Sequence, residues 1–349
     1  MEETGSRTVS LADVARLAGV SKMTVSNVIN NREGMTEQTR QRVQQAIEQS
    51  GYVANAAARV LAGGRMNLLG VIAPRINWPY VTELLHGASR VVEQAGLDLA
   101  IFTTSDNVRV ERERAMLLRT LVDGVLLIIP AADEQTVFGP AVPVVTVGSA
   151  GAYTVSVDDR QGGRLAAQHL LDLGHRHIGH VSGLSSVSRH DASDRLDGFA
   201  QELNAAGVGL PPHLIADGAF TEAGGEAAAR TLLSLPERPT AIFAANDRSA
   251  IGVLRAAEQL GLRVPHDLSV VGYDDVQVAS LTRPALTTIR QPLEEMGAAA
   301  ARLLIALIRR EVPEQAHPRF PASLVVRDST APPGVVQPPD PVRPMKGAT

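Results

Sequence analysis

From Leu68 onward, short apolar runs rich in β-branched residues alternate with longer amphipathic segments, and few folds tolerate that alternation. The runs are Leu68 to Ile72, Leu97 to Phe102, Val125 to Ile129, Val142 to Val147, His177 to Val181, Ala241 to Ala244 and Leu268 to Gly272. They lack the in-out alternation of half-exposed strands, so they read as parallel strands buried on both faces. Between them lie helical segments at Val81 to Gln94, Arg109 to Leu121, Gln161 to Leu173, Asp194 to Ala206, Glu222 to Leu235 and Ser249 to Leu260. The pattern predicts doubly wound α/β layers, and the strands are too many for one comfortable sheet. Two lobes are expected.

The first sixty or so residues have a different texture. Residues 5 to 64 carry seven basic side chains against four acids, whereas the whole chain of 349 residues has a net charge of -4. A polyanion partner would therefore be met locally, by this head. Ser10 with Asp13 three residues on is a capping-box start, and Leu11, Val14, Ala15 and Ala18 follow at helical spacing until Gly19. Ser21 caps a second helix whose buried face is Val25, Val28 and Ile29. A third begins near Thr36, continues through Val43, Ala46 and Ile47, and ends at Ser50 and Gly51.

Two short helices meeting across Gly19 and Val20, with small alanines at their crossing, have the physics of a helix-turn-helix. The exposed start of the second helix is the part that enters a major groove. That places Lys22, Met23 and Asn27 against base edges and lets Ser21, Thr24 and Ser26 reach phosphates; Asn30 and Asn55 are also expected against phosphates. Lysine suits guanine acceptors, asparagine pairs with adenine, and methionine can touch a thymine methyl. A hairpin serving only as a core element would need neither the caps nor the local positive charge.

The composition narrows the alternatives. There is no cysteine, which excludes disulfides, thiolate chemistry and cysteine-held zinc. No apolar run has the length of a signal segment or membrane span, so a cytoplasmic protein with no membrane partner is expected. The histidines at 175, 177 and 180 resemble a metal cluster only superficially, because on a strand the third would face away from the other two. The acid pairs Asp158-Asp159 and Asp274-Asp275 are adjacent in the chain and so would not flank a scissile bond; with no nucleophile elbow, zinc helix or phosphate loop, no enzyme and no cofactor are expected.

These residues together resemble the lactose-repressor/galactose-repressor family of bacterial transcription regulators over nearly the whole chain. The resemblance rests on Asp13-Val14-Ala15, Ala18-Gly19-Val20-Ser21 and Thr24-Val25-Ser26; on Tyr52, Asn55 and Leu61; and on Gly174-His175. It continues in Ala245-Asn246-Asp247, in Val271 to Asp275, in Leu286 to Pro292 and in Leu324 to Thr330. It implies an N-terminal all-α helix-turn-helix head (8–52) and a hinge helix (53–64), then a two-lobed α/β body like a periplasmic binding protein (65–330). One lobe would hold about 65–158 and 292–320, the other about 159–291 and 321–330, with three strands crossing between them. Residues 331–349, with six prolines, read as a disordered tail.

The hinge would order on double-stranded operator DNA and wedge Leu61, beside Ala58, into the minor groove. Between the lobes the matching positions are Arg195, Asn246, Asp274, Phe220 and Gln291, which suit a small-molecule effector, in this family a sugar. Trp78 and Tyr80 join them because loops after strand ends line such crevices. Ala54, Asn27 and Pro74 depart from the family pattern, so the operator and the ligand need not be the familiar ones. The expected molecule is a homodimeric repressor under allosteric control. A solute-binding protein would have no use for the head, and a sugar-acting α/β enzyme would need a placed acid and base.

Overall fold

The computed structural model describes residues 9–29, 34–52, 66–105, 107–130, 138–139, 142–148, 151–184 and 189–334. They fall into two compact units: the first ends at Leu68 and takes in Leu121–Asp123, and the second holds the remainder.

In the first unit, Ser10 starts α1 (Leu11–Ala18), its N–H and hydroxyl both donating to the Asp13 carboxylate at 3.0 and 2.6 Å. Gly19 ends it in the left-handed conformation, φ 64°, where a side chain would be strained. Ser21 then accepts the Thr24 N–H at 3.0 Å at the head of α2 (Lys22–Ile29). Thr36 does the same for α3 (Glu37–Ser50) through the Thr39 N–H at 3.3 Å. Caps of this kind are worth about 1 kcal/mol each. The three helices close over Val14, Ala15, Ala18, Val25, Val28, Val43 and Ala46. Each fully buried valine here stabilises the unit by roughly 1.5–3 kcal/mol relative to an exposed position.

The second unit contains two six-stranded sheets. The first is built from β1 (Leu68–Ala73), β2 (Asp98–Thr103), β3 (Gly124–Ile128), β4 (Val144–Val147), β5 (Thr154–Val157) and the short β11 (Arg319–Phe320), in the order β11-β5-β4-β3-β1-β2. The second is built from β6 (Ile178–Ser182), β7 (Ile215–Asp217), β8 (Ala241–Ala244), β9 (Ser269–Asp274), β10 (Thr287–Arg290) and β12 (Ser323–Val325), in the order β12-β10-β9-β8-β6-β7. The registered pairs are parallel except β10 with β12. Every residue of β3, β6, β8 and β9 is buried, including the polar His180, Ser182, Ser269 and Asp274. The chain passes between the sheets three times: after β5, after β10, and across the two residues separating β11 from β12.

Helices cover the sheets: α4 (Pro79–Gln94), α5 (Val108–Leu118), α6 (Asp159–Asp172), α7 (Arg189–Ala205), α8 (Glu222–Leu233), α9 (Asp247–Gln259) and α10 (Leu293–Arg309). The last is missing from the sequence expectation. It buries Leu293, Met296, Ala300, Leu303 and Leu304 on one face and exposes Glu294, Glu295, Arg302 and Arg309 on the other. Helix α7 also begins earlier than expected, at Arg189 instead of Asp194.

Helix pairing follows one device. Gly163 of α6 lies against the backbone of Arg195 and Phe199, and Gly198 of α7 lies against the carbonyl of Arg160. A Cβ at either position would collide with backbone, so α6 and α7 approach each other more closely than any residue with a side chain at these positions would permit.

The chain end requires a correction. The expected disordered tail begins too early, because Ala331 donates its N–H to Ser269 Oγ at 3.0 Å and its carbonyl lies 2.9 Å from His175 Nε2. Residues 335–349 lie outside the described residues.

Candidate functional site

The residues expected to meet a ligand are drawn together by a shared rule: they follow the C-terminal ends of parallel strands, where helix starts and loops leave polar groups exposed. Trp78 and Tyr80 follow β1, Phe220 follows β7, Asn246 follows β8, Asp274 ends β9, and Gln291 follows β10. Arg195 comes from α7, held down by the glycine crossing with α6.

Arg195 is the centre of the set. It is buried, and its Nε donates to Asp159 Oδ1 at 2.7 Å while NH1 donates to the Ala245 carbonyl at 2.6 Å. The same NH1 stands 3.8 Å from Asp274 Oδ1. Its guanidinium lies 3.9 Å from the Tyr273 ring centre and 5.7 Å from that of Phe220. A guanidinium out of water needs such partners, and planar ones suit it best. The surrounding carboxylates outweigh desolvation and hold Arg195 firmly protonated.

Asp274 accepts from Gln291 Nε2 at 2.7 Å. Its backbone has φ 113° and that of Asp275 has φ 58°, both in the region that disfavours side chains. Asp275 fixes this bend through Arg290 Nε at 2.6 Å and Arg327 NH2 at 2.5 Å. Asp247, buried at the start of α9, adds Oδ2 to the Val276 N–H at 3.0 Å and Oδ1 to the Thr288 hydroxyl at 2.5 Å. The loop presenting Asp274 is thus clamped from both sides.

Burial pushes the Asp274 carboxyl up from 3.8 to about 7, against the opposing pull of Arg195 and Gln291. Below pH 3.8 both folded and unfolded chains hold this proton; between about 4 and 7 only the folded chain keeps it, so the group's contribution to stability falls as pH rises through that window. Asp274→Asn should therefore flatten the stability-pH curve by about one proton's slope, roughly 1.4 kcal/mol per pH unit at most. Urea unfolding of both proteins between pH 4.5 and 7.5 checks this; parallel curves would refute the assignment.

Asn246 caps α9 by accepting the Ser249 N–H at 2.9 Å, and its Nδ2 lies 3.3 Å from the Phe220 carbonyl. One amide hydrogen and one lone pair remain for a ligand. Phe220, at φ 55°, lays its ring over Gly183. Trp78 stacks on the Arg248 guanidinium at 5.2 Å. Tyr80 is surrounded by Asp191, Asp274, Arg195 and Asp159, and burial with the three carboxylates raises its hydroxyl above the usual range.

Sequence reasoning missed Asp159, Asp191, Tyr273 and Arg248 as members of this set. Asp191 carried a signal, since it lies four residues before Arg195 and so shares a helix face with it. The three histidines go separate ways. His175 and His177 precede β6; the first lies 2.9 Å from Thr240 Oγ1 and the second 2.9 Å from the Glu237 carbonyl. His180 is buried between Phe199 and Phe243, with ring centres 5.7 and 5.0 Å away, and burial pushes it down to about 4.

In the head, Ser21, Lys22 and Met23 are exposed at the start of α2, and Thr24, Ser26 and Asn27 are half-buried. Met23 is 68% exposed and takes no part in the core of the head. Asn30, Asn55, Ala58 and Leu61 lie outside the described residues, as does Ala54. Among the described residues, no helix is long and apolar enough to cross a membrane.

Comparison with known proteins accounts for both parts. Residues 10–55 match the family model of bacterial regulatory proteins, lacI family, and residues 167–330 match that of a periplasmic binding protein-like domain. The ribose operon repressor of Escherichia coli strain K12 is 35% identical over 330 residues, covering 92% of this chain and 99% of its own. The crystal structure of the lac repressor dimer bound to operator and the anti-inducer ONPF superposes with a TM-score of 0.81 at 30% identity, over 93% of this chain and 100% of that one. A transcriptional regulator CelR-cellobiose complex gives 0.69 at 34% identity, over 92% and 99%. With a helix-turn-helix head, a two-sheet body and relatives that are repressors over their full length, this chain belongs to the lacI family of bacterial regulatory proteins: it is a DNA-binding transcriptional repressor with an effector-binding domain, and not an enzyme.

Proposed function

We propose that this repressor is a cytoplasmic homodimer whose operator affinity is set by a sugar held between the lobes, the lobes being about 65–158 with 292–320 and about 159–291 with 321–330. The observation that carries the sugar reading is the buried group of Arg195, Asp274 and Gln291 beside the Phe220 ring. Fixed donors and acceptors match vicinal hydroxyls, and an aromatic face matches sugar C–H groups. Similar proteins include the ribose operon repressor and a regulator solved with cellobiose. Thermal-shift screening of monosaccharides and disaccharides, followed by gel shifts with DNA upstream of the protein's own gene, tests this; a protein that binds DNA identically with and without every sugar would overturn it.

On the DNA side, Lys22, Met23 and Asn27 are assigned to base edges, with Ser21, Thr24, Ser26, Asn30 and Asn55 on phosphates and Leu61 with Ala58 in the minor groove. Support comes from the exposed, capped start of α2, where two heads of a dimer would read half-sites of a pseudo-palindrome. Lys22→Ala should weaken specific operator binding by about ten- to a hundredfold while leaving binding to unrelated DNA nearly unchanged. Equal losses on both DNAs, measured at one salt concentration, would move Lys22 to the phosphate backbone.

A further inference from the structure

The sugar-binding cleft contains a carboxylate that its fixed cation does not pair. Asp159 takes the 2.7 Å bond from Arg195, and Asp274 stands 3.8 Å from the same guanidinium. Asp191 is a third acid on the same side. It lies in the first turn of α7, one turn ahead of Arg195, close to a tyrosine that enters from the other sheet. Gly148, just after β4, marks the spot. A Cβ there would sit 3.3 Å from the Tyr80 hydroxyl and 3.4 Å from Asp191 Oδ2, and φ is 77°, which a side chain would strain. The first sheet therefore presents bare backbone where the tyrosine and the aspartate converge.

Resting on the reading of this cleft as a sugar site, we propose that Asp191 is its specificity-determining residue: it restricts the effector to polyols without an anionic group and excludes sugar phosphates and sugar acids. The one guanidinium is already bonded to Asp159, so an anionic ligand meets no free cation and must either face Asp274 and Asp191 as like charges or hold both protonated; in a setting of low dielectric a single like charge changes affinity by an order of magnitude or more. A neutral polyol meets no such penalty, since its hydroxyls donate to an ionised Asp191 and accept from a protonated one. Burial and the charges of Asp159, Asp194 and Asp274 raise the Asp191 carboxyl above its ordinary range, while Arg195 opposes them, so protons are available to complete such bonds. Tyr80, also raised, stays a donor.

The test uses the full-length protein and a matched panel: aldopentoses and aldohexoses, their terminal phosphates, and the corresponding aldonic acids, each read by thermal shift and titration calorimetry. Wild type should bind a neutral member at least a hundredfold more tightly than its phosphate or acid. With each ligand titrated at pH 6 and at pH 9, that ratio should fall at least tenfold relative to wild type in Asp191→Ser, and separately in Asp191→Asn, at the higher pH, where Asp191 gives up its proton, chiefly through tighter binding of the anionic member. A circular dichroism melt shows that each variant is folded. Wild type binding an anion as well as its neutral parent, or folded variants with an unchanged ratio, would overturn the proposal. Binding of no panel member, neutral or anionic, would instead overturn the sugar reading, and the assignment of Asp191 with it.

Discussion

Arg195→Ala is expected to abolish effector binding at concentrations that saturate the wild type, with a loss of at least about a hundredfold in affinity, and to lower Tm by roughly 6–20 °C. The second figure follows from the first cause. Removing one partner of a buried charge pair leaves the other uncompensated, at about 3–5 kcal/mol, and each kcal/mol moves Tm by about 2–4 °C in a unit of this size. Here the orphaned groups are Asp159 and, further off, Asp274, together with a carbonyl at Ala245. Arg195→Lys should recover little, because an ammonium cannot bridge carboxylate and carbonyl while lying flat on the Tyr273 ring. Calorimetry with the neutral sugar that shifts the wild type most, and a melting curve for each variant, decide the matter. Near-normal affinity in a folded Arg195→Ala protein would remove the guanidinium from the centre of the site.

Gly198→Ala, a change of one methyl group, is expected to act almost as severely from outside the cleft. The new Cβ would collide with the Arg160 carbonyl, and rigid backbone yields only if α6 and α7 separate. Overpacking of this kind costs about 1–3 kcal/mol or more. The functional consequence is larger than the stability loss suggests. Arg195 lies one turn before Gly198 on α7, and its partner Asp159 is the first residue of α6, so separation lengthens a 2.7 Å bond on which the site depends. Effector affinity should fall at least tenfold in protein that is still folded. Gly198→Ala binding sugar normally with a lowered Tm would show that the crossing serves stability alone.

Much of this architecture was legible in the sequence because burial on both faces leaves a strong imprint. Runs such as Val125 to Ile129 and Ala241 to Ala244 have one reading as buried strands, and the structure places β3 and β8 there within a residue or so. The caps at Ser10, Ser21 and Thr36 were equally plain, since they depend on local chemistry. Edge elements escaped. β7 is three residues and partly exposed, β11 is two residues, and neither builds a pattern. Helix α10 has a plain amphipathic period, with Glu294, Glu295, Arg302 and Arg309 exposed opposite its buried face, so it was legible by the same rule as the others.

The cleft was read through motif positions, and so only its recognisable members were found. Asp274, Asn246 and Arg195 match positions of a known family, whereas Asp159 gains its role from a helix crossing that brings it into contact with Arg195, 36 residues away in the chain. No local pattern encodes that contact except the two glycines that permit it. The start of the tail was illegible for a related reason: proline content carries no sign of the hydrogen bonds that Ala331 makes with Ser269 and His175.

The central claim is that the capped, basic head and the polar cleft are two sites of one equilibrium. Its most direct test is to measure operator affinity of the full-length repressor with and without a saturating sugar identified by the screen, and then the sugar's affinity with and without saturating operator. Coupling of about 1–3 kcal/mol predicts a change of roughly five- to 150-fold in the first experiment and the same factor in the second. Operator affinity that is unmoved by a sugar bound in the cleft would contradict it.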